Sequence, residues 1–267
     1  MIHFLLILLF SHNVFSQEFV DADSKIKNTN YVVVNEKFIF DVNFKGNRKI
    51  ANFASAKKIL KKFNFFGIKE ELYCGCSFEK NSITKENSCG ILPRKNLKRA
   101  MRIEFEHIVP FENQVGHTSV WDIGNNLCNG QKGRKCASKI FGHLEGDLWN
   151  LWPAAGELNG DRSNYSFSPM VVNKKEYGKC EFSIEDKKVS TRNSIKALIA
   201  YTYIYFQKTY SKYLKNNFIS NKNEKMFLAW TKFPLTKEQC NWANQVYFFQ
   251  GNKNEDLLSA CQNQFKN

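Results

Sequence analysis

An α+β fold is what this sequence predicts, with many helices and few strands. Three observations carry that expectation. Apolar residues recur at helical spacing in two long stretches, 51–63 and 195–214. Strand-like patterns are confined to short runs near 73–78 and 102–109. The regular alternation of strand and helix that builds a parallel sheet is missing from the pattern.

Taken in order, the chain begins with an apolar run from Leu5 to Phe10, and Val14-Phe15-Ser16 offers small residues at the two positions a signal peptidase reads. Residues 1–16 therefore read as an export signal, too short to span a bilayer. That leaves 17–267 as a single domain. In 51–63, Phe53, Ala56, Leu60 and Phe63 share one helical face, with Lys57, Lys58, Lys61 and Lys62 around the rest. Tyr73 to Phe78 reads as a strand, and so does Arg102 to Val109, stopped by Pro110. The Gly- and Asn-rich stretch 113–133 reads as loop. Asp147 to Trp152 is a short apolar segment, and Pro153 suits the first turn of a short helix ending near Gly160. The longest helix is expected from Ile195 to Leu214, capped by Ser190 or Thr191, its tyrosine-rich stripe packing in the core. Thr236-Lys237-Glu238-Gln239 has capping-box spacing and opens a last helix.

Composition narrows the class. With 43% apolar residues the chain is not disordered. A net charge of +14 implies an acidic partner, and Arg94, Lys95, Lys98, Arg99, Lys132, Arg134, Lys135, Lys174 and Lys175 gather in basic clusters. Eight cysteines in an exported chain read as four disulfides. About 105 pairings are open to them. Local pairing favours Cys128–Cys136, Cys240–Cys261 and Cys76–Cys89, which leaves Cys74 for Cys180. A zinc site at Cys74-Gly75-Cys76 is the competing reading, weakened by CxC spacing and by the lack of a following histidine.

The chemistry concentrates between 104 and 164. The three histidines beyond the signal, His107, His117 and His143, all lie there. So do Glu104, Glu106, Asp122, Glu145, Asp147, Glu157, Asn159, Asp161, Arg134 and Arg162. Singly, Glu106-His107 reads as a structural or surface pair, His117 and His143 as loop residues, and Asn159-Gly160-Asp161 as a turn. Together they supply what attack on a phosphodiester needs: hard oxygens for a divalent cation, an imidazole base and a guanidinium for the phosphate. On a regular strand Glu106 and His107 point to opposite faces, so the strand end must splay them if both are to serve one site.

Glu104-Phe105-Glu106-His107-Ile108-Val109-Pro110, then Gly133-Arg134-Lys135-Cys136, then the run from Leu144 to Tyr165 with Asn159-Gly160-Asp161-Arg162-Ser163-Asn164, resemble the bacterial endonuclease I family of periplasmic and secreted nucleases. Weaker similarity extends to Tyr73-Cys74-Gly75-Cys76 and to Phe249-Gln250-Gly251-Asn252-Lys253-Asn254. The resemblance implies a ββα-metal (His-Me finger) core at about 101–166 within a mixed, largely helical, disulfide-bonded domain. It implies Mg²⁺ held by Glu106 and Asn159, with Mn²⁺ or Ca²⁺ as substitutes, His107 as general base, Arg134 on the phosphate and Glu145 as a supporting group. Trp149 stands where the family usually has histidine, which removes a polar group from the neighbourhood of the site. Asn193, Ala197, Cys240, Trp242 and Ala243 also depart from the family pattern.

The expectation is a secreted or periplasmic monomer that cuts single- and double-stranded DNA, and RNA, without sequence preference, leaving 5′-phosphates, and that has no membrane partner. The alternative is a secreted nucleic-acid binder without catalysis. A disulfide-rich adhesion module stands further off, since it has no use for the Glu-His pair.

Overall fold

The computed structural model describes residues 31–34, 37–40, 42–84, 89–111, 138–169, 176–213 and 219–266. The chain divides between Asp41 and Val42 into two compact units. The described part of the first is an antiparallel hairpin, β1 (Tyr31–Val34) and β2 (Lys37–Phe40), with Tyr31 opposite Phe40. All further elements belong to the second unit.

Helix α1 (Phe53–Lys62) begins where the Asn52 side chain accepts the N–H of Ser55. Ala56 and Leu60 face inward, and Lys61 and Lys62 occupy the last turn, where cations oppose the helix dipole. The chain then turns through Asn64, Phe65 and Phe66 at φ of 46°, 53° and 55°. Left-handed backbone of this kind costs roughly 1–3 kcal/mol per residue with a side chain. Burial of both phenylalanines offsets much of it, at about 1.5–3 kcal/mol per ring. Phe65 stacks on Phe105 at 5.3 Å and meets Phe78 edge-on at 5.2 Å.

Tyr73 to Phe78, expected as a strand, is a turn; only β3 (Phe78–Glu79) is extended, paired with β4 (Ser82–Ile83). The reason is Glu71. Its buried carboxylate accepts the N–H groups of Tyr73, Cys74 and Cys76, the donors a ladder would have needed. Disulfides Cys74–Cys180 and Cys76–Cys89 tie this turn down, and Cys240–Cys261 forms a third bridge. Although Glu71, Cys74 and Cys76 cluster closely, both cysteines are oxidised and offer zinc no thiolate. Cys128 and Cys136 lie outside the described residues.

After the short helix α2 (Leu97–Ala100), β5 (Ile103–His107) pairs antiparallel with β6 (Leu151–Ala155), Glu106 opposite Trp152. Helix α3 (Lys139–Glu145) and a 3-10 turn, Leu148–Asn150, precede β6, and α4 (Gly156–Arg162) follows it. Pro153 is therefore not in a helix but within a strand. Its carbonyl points away from β5 to accept Leu72 N–H at 2.8 Å, so the missing proline N–H would have faced outward too and no β5 ladder bond is lost. The helix starts three residues later.

A three-stranded sheet, β7 (Ser166–Phe167), β8 (Ser183–Glu185) and β9 (Lys188–Ser190), has β9 in the middle. A 3-10 turn (Asn193–Ile195) leads into α5 (Lys196–Tyr210), the longest described helix. Neither Ser190 nor Thr191 caps it. Ser190 ends β9, and the turn has Arg192 at its cap without a side-chain bond. The tyrosine stripe does pack in the core, with Tyr203, Tyr205 and Tyr210 buried. Helix α6 (Asn221–Trp230) and α7 (Lys237–Gln250) follow, and Thr236 and Gln239 complete the capping box of α7. α7 is not the last helix: α8 (Glu255–Gln264) comes after it and is joined to it by Cys240–Cys261. Among the described residues no helix is long and apolar enough to cross a membrane.

Candidate active site

Strands β5 and β6 and helix α4 form the framework. Glu104 and Glu106, two positions apart, leave the same face of β5, and Asn159 and Arg162, three apart on α4, meet them there. Glu106 is buried. Its Oε1 accepts the Tyr73 hydroxyl at 2.5 Å and Arg162 Nη1 at 2.6 Å, while Oε2 receives no donor among the described residues. Arg162, only 1% exposed, also donates to the carbonyls of His107 and Ile108 at 2.8 and 2.7 Å, so one guanidinium holds Glu106 and pins the end of β5. Burial pushes the Glu106 carboxyl up, while Arg162 and Tyr73 pull it down. Burial likewise works against the charge on Arg162, but Glu106, Tyr73 and Tyr203 together outweigh it and raise the guanidinium further. Tyr73, raised well above its ordinary value by burial and by Glu106, stays a neutral donor.

Asn159 donates Nδ2 to Glu104 Oε2 at 3.3 Å, which leaves its Oδ1 without a donor among the described residues. Glu104 is gripped by Arg99 through two bonds of 3.1 and 3.0 Å and also by Arg102. Burial would raise its carboxyl, yet the two arginines prevail and hold it below the usual range. Gly156 permits this close approach: a Cβ there would lie 2.8 Å from both Arg99 O and Glu104 Oε1.

His107 leaves the opposite face of β5. Its ring lies 4.5 Å from Phe53, which also meets Phe105, and 4.9 Å from Phe111. Nε2 sits 2.9 Å from the Glu145 carbonyl. A carbonyl can only accept, so Nε2 carries the proton and Nδ1 is left as the basic nitrogen. Burial lowers the imidazole to about 4, against the pull of the Glu145 carbonyl, with Arg162 and Lys57 adding to the lowering. It is a neutral base at physiological pH. The strand end is not splayed: Glu106 and His107 keep the opposite orientations of a regular strand. Glu145 acts here through its backbone. Arg134, His117 and Asp122 lie outside the described residues.

Several other polar residues of this stretch serve the fold. His143 is in α3 and buried rather than in a loop. Asp147 is buried among Tyr205, Tyr210, Gln250 and the N–H of Trp149. Glu157 accepts three consecutive N–H groups, from Arg94, Lys95 and Asn96. Asp161 takes Arg94 and the Tyr177 hydroxyl. Glu106 Oε2 and Asn159 Oδ1 are a carboxylate and an amide oxygen of the kind a hard divalent cation takes, and neither receives a donor among the described residues.

The Endonuclease I family model matches residues 23–255. This chain belongs to the endonuclease I family. It is 37% identical over 223 residues to an Endonuclease-1 of Buchnera aphidicola subsp. Acyrthosiphon pisum, covering 80% of this chain and 83% of the relative. It is 35% identical over 200 residues to a periplasmic deoxyribonuclease of Aeromonas hydrophila (71% and 78% covered). An extracellular deoxyribonuclease of the same organism is 33% identical over 223 residues (80% and 90% covered).

Of the residues expected to depart from the endonuclease I family pattern, Trp149, Trp242 and Cys240 are buried in the core. Trp149, expected to remove a polar group near the site, is buried in the core, its ring 5.5 Å from Trp242 and its Nε1 bonded to Asn252 O. Trp242 also meets Trp152 at 4.8 Å, and Cys240 is bridged to Cys261. Ala197 is buried in α5, and Asn193 accepts Lys196 Nζ at 2.7 Å. Sequence reasoning missed Tyr73 and gave Arg162 no particular task. Arg162 stands inside a family motif; nothing in the spacing of Tyr73 marks it, because 33 residues separate it from Glu106.

Proposed function

We propose that this chain is a secreted or periplasmic, metal-dependent, sequence-nonspecific endonuclease that hydrolyses DNA and RNA to 5′-phosphate products. The observation that carries the reading is Glu106: a buried carboxylate locked by Arg162 and Tyr73 through one oxygen, with the other left for a cation. The names of the relatives support a nuclease and a location outside the cytoplasm, as the apolar N-terminal run does.

In this reading β5, β6 and α4 are a ββα-metal motif. Glu106 and Asn159 would hold Mg²⁺, with Mn²⁺ or Ca²⁺ as substitutes, and a cation bound there would supply stabilisation of the negative charge that builds on the phosphate. His107 Nδ1 takes a proton from the attacking water while Nε2 stays anchored on the Glu145 carbonyl. Arg134 grips the phosphate through paired N–H groups. Since Glu106 and His107 leave opposite faces of β5, the scissile phosphate must lie across the end of that strand to meet both. A site of this kind reads backbone rather than base edges, and the charge of +14 supplies salt-dependent affinity for any polynucleotide. The enzyme works as a monomer.

The test is cleavage of supercoiled plasmid by oxidised protein lacking residues 1–16, with Mg²⁺, with EDTA, and with His107→Ala. Mg²⁺-dependent degradation that EDTA abolishes, with 5′-phosphate ends, is expected. Binding without cleavage across several divalent metals would replace the enzyme by a nucleic-acid binder.

A further inference from the structure

Aromatic rings and lysines share one surface that starts beside His107 and runs along α1. Helix α1 carries Lys57, Lys58, Lys61 and Lys62 and no acidic residue. Lys57 is near enough to His107 to help lower it, and its Nζ lies 4.6 Å from the Phe53 ring. Lys61 Nζ is 5.9 Å from Phe105, the β5 neighbour of the base. Lys62 Nζ is 5.6 Å from Phe63 at the far end of the helix. There Phe63 stacks nearly parallel on Phe66, at 5.4 Å and 9°, and both lean on Phe249, whose ring sits 4.3 Å from Lys49 Nζ. Phe63 is 42% exposed, and Phe248, in the last turn of α7, is 91% exposed. The left-handed turn after α1 sets Phe63 and Phe66 parallel.

We infer that this surface is a single-strand track, on which the α1 lysines hold phosphates leading away from the scissile bond and the exposed Phe63 stacks unpaired bases. The inference rests on the nuclease reading above and adds a substrate preference to it. Lysines alone would take duplex and single strand alike, because both present phosphates. An exposed ring offers its face only to a base whose own face is free, and in a duplex those faces are covered by neighbouring pairs. Ten residues of helix span about 15 Å, the length of about four stacked nucleotides. A ring supported from beneath by Phe66 is already ordered, so binding loses little side-chain freedom.

The experiment measures anisotropy of a short fluorescein-labelled oligo-dT and of a duplex of equal length, in EDTA, on the full oxidised chain. Phe63→Ala is expected to weaken oligo-dT binding about tenfold, the loss of one stacked base, and duplex binding by less than about twofold. Phe63→Leu, apolar but without a face, should lose as much as alanine. Lys58→Gln with Lys62→Gln should weaken both ligands and flatten the salt dependence of both. If Phe63→Ala fails to fold, Phe63→Leu, which still covers Phe66, carries the same expectation. Full oligo-dT affinity in Phe63→Leu, equal losses on both ligands, or no loss on either overturns the track. Wild type that binds oligo-dT but cuts nothing removes the nuclease reading and leaves the track; cleavage with no effect of the ring variants does the reverse.

Discussion

Two buried carboxylates, Asp147 and Glu106, flank the ends of β6 and β5 and have opposite surroundings. Asp147 is saturated. Tyr205, Tyr210, Gln250 and the Trp149 N–H all donate to it, and the donors come from α5, α7 and the turn before β6. Glu106 is half-saturated, with two donors on one oxygen and none from the described residues on the other. Both are buried, and burial raises both carboxyls. The difference lies in the unspent lone pairs. A carboxylate with every acceptor filled welds helices together; one held rigid with an open oxygen is prepared for a ligand.

The comparison breaks most sharply at the base. With His107 as the proposed base, His107→Ala should lower kcat about 10²–10⁴-fold, while losing its bond to Glu145 and its ring packing should cost the fold roughly 1–3 kcal/mol. A loss of kcat under about tenfold would move the base elsewhere. Asp147→Asn should do the converse. It places an NH₂ group among hydroxyl donors and should reduce stability by about 2–3 kcal/mol in urea unfolding, with kcat near wild type at temperatures where the variant is folded. Loss of activity in a stably folded Asp147→Asn protein would make the two carboxylates less distinct than proposed.

Tyr73 holds Glu106 from behind, and its loss has a smaller effect. Tyr73→Phe removes one of the two donors on Glu106 and keeps the ring. It should raise the Mg²⁺ concentration needed for half-activation about 10–100-fold, the range for lost outer-shell partners, and calorimetric titration with Mg²⁺ should show the same weakening. The same affinity in both proteins would leave Tyr73 a packing residue. The smallest effect is a slope. Folded His107 sits at about 4 and an unfolded histidine near 6.5. Between those values the unfolded chain holds the extra proton, so this contribution to stability is complete above about 6.5 and is lost as pH falls toward 4. In EDTA, urea unfolding at pH 7 and pH 5 should show a smaller pH effect in His107→Gln than in wild type. His143, also lowered by burial, acts in the same direction, and the raised carboxyls of Glu106 and Asp147 act in the opposite one.

Much of the fold could be read from residue patterns. The lysine-flanked helix α1, the strand ending before Pro110, the long tyrosine-striped helix and the capping box at Thr236 all follow from local spacing and local hydrogen bonding. The errors share a cause. Tyr73–Phe78 has strand-forming residues but loses its ladder donors to Glu71, and Pro153 looks like a helix start until its carbonyl is seen to face Leu72. In each, a partner distant in sequence overrode a local preference.

By itself the sequence determined which chemical groups are present and roughly where: the Glu-His pair, the Asn159 motif, the basic charge and the eight cysteines. Motif order suffices for that, because a family keeps its reacting groups in sequence. Only the tertiary structure decided which carboxylates are free to react. Asp147 and Glu157 are as oxygen-rich as Glu106, and each is filled by donors from segments tens of residues away. Hydrogen-bond saturation is a property of the folded neighbourhood, and no spacing along the chain encodes it.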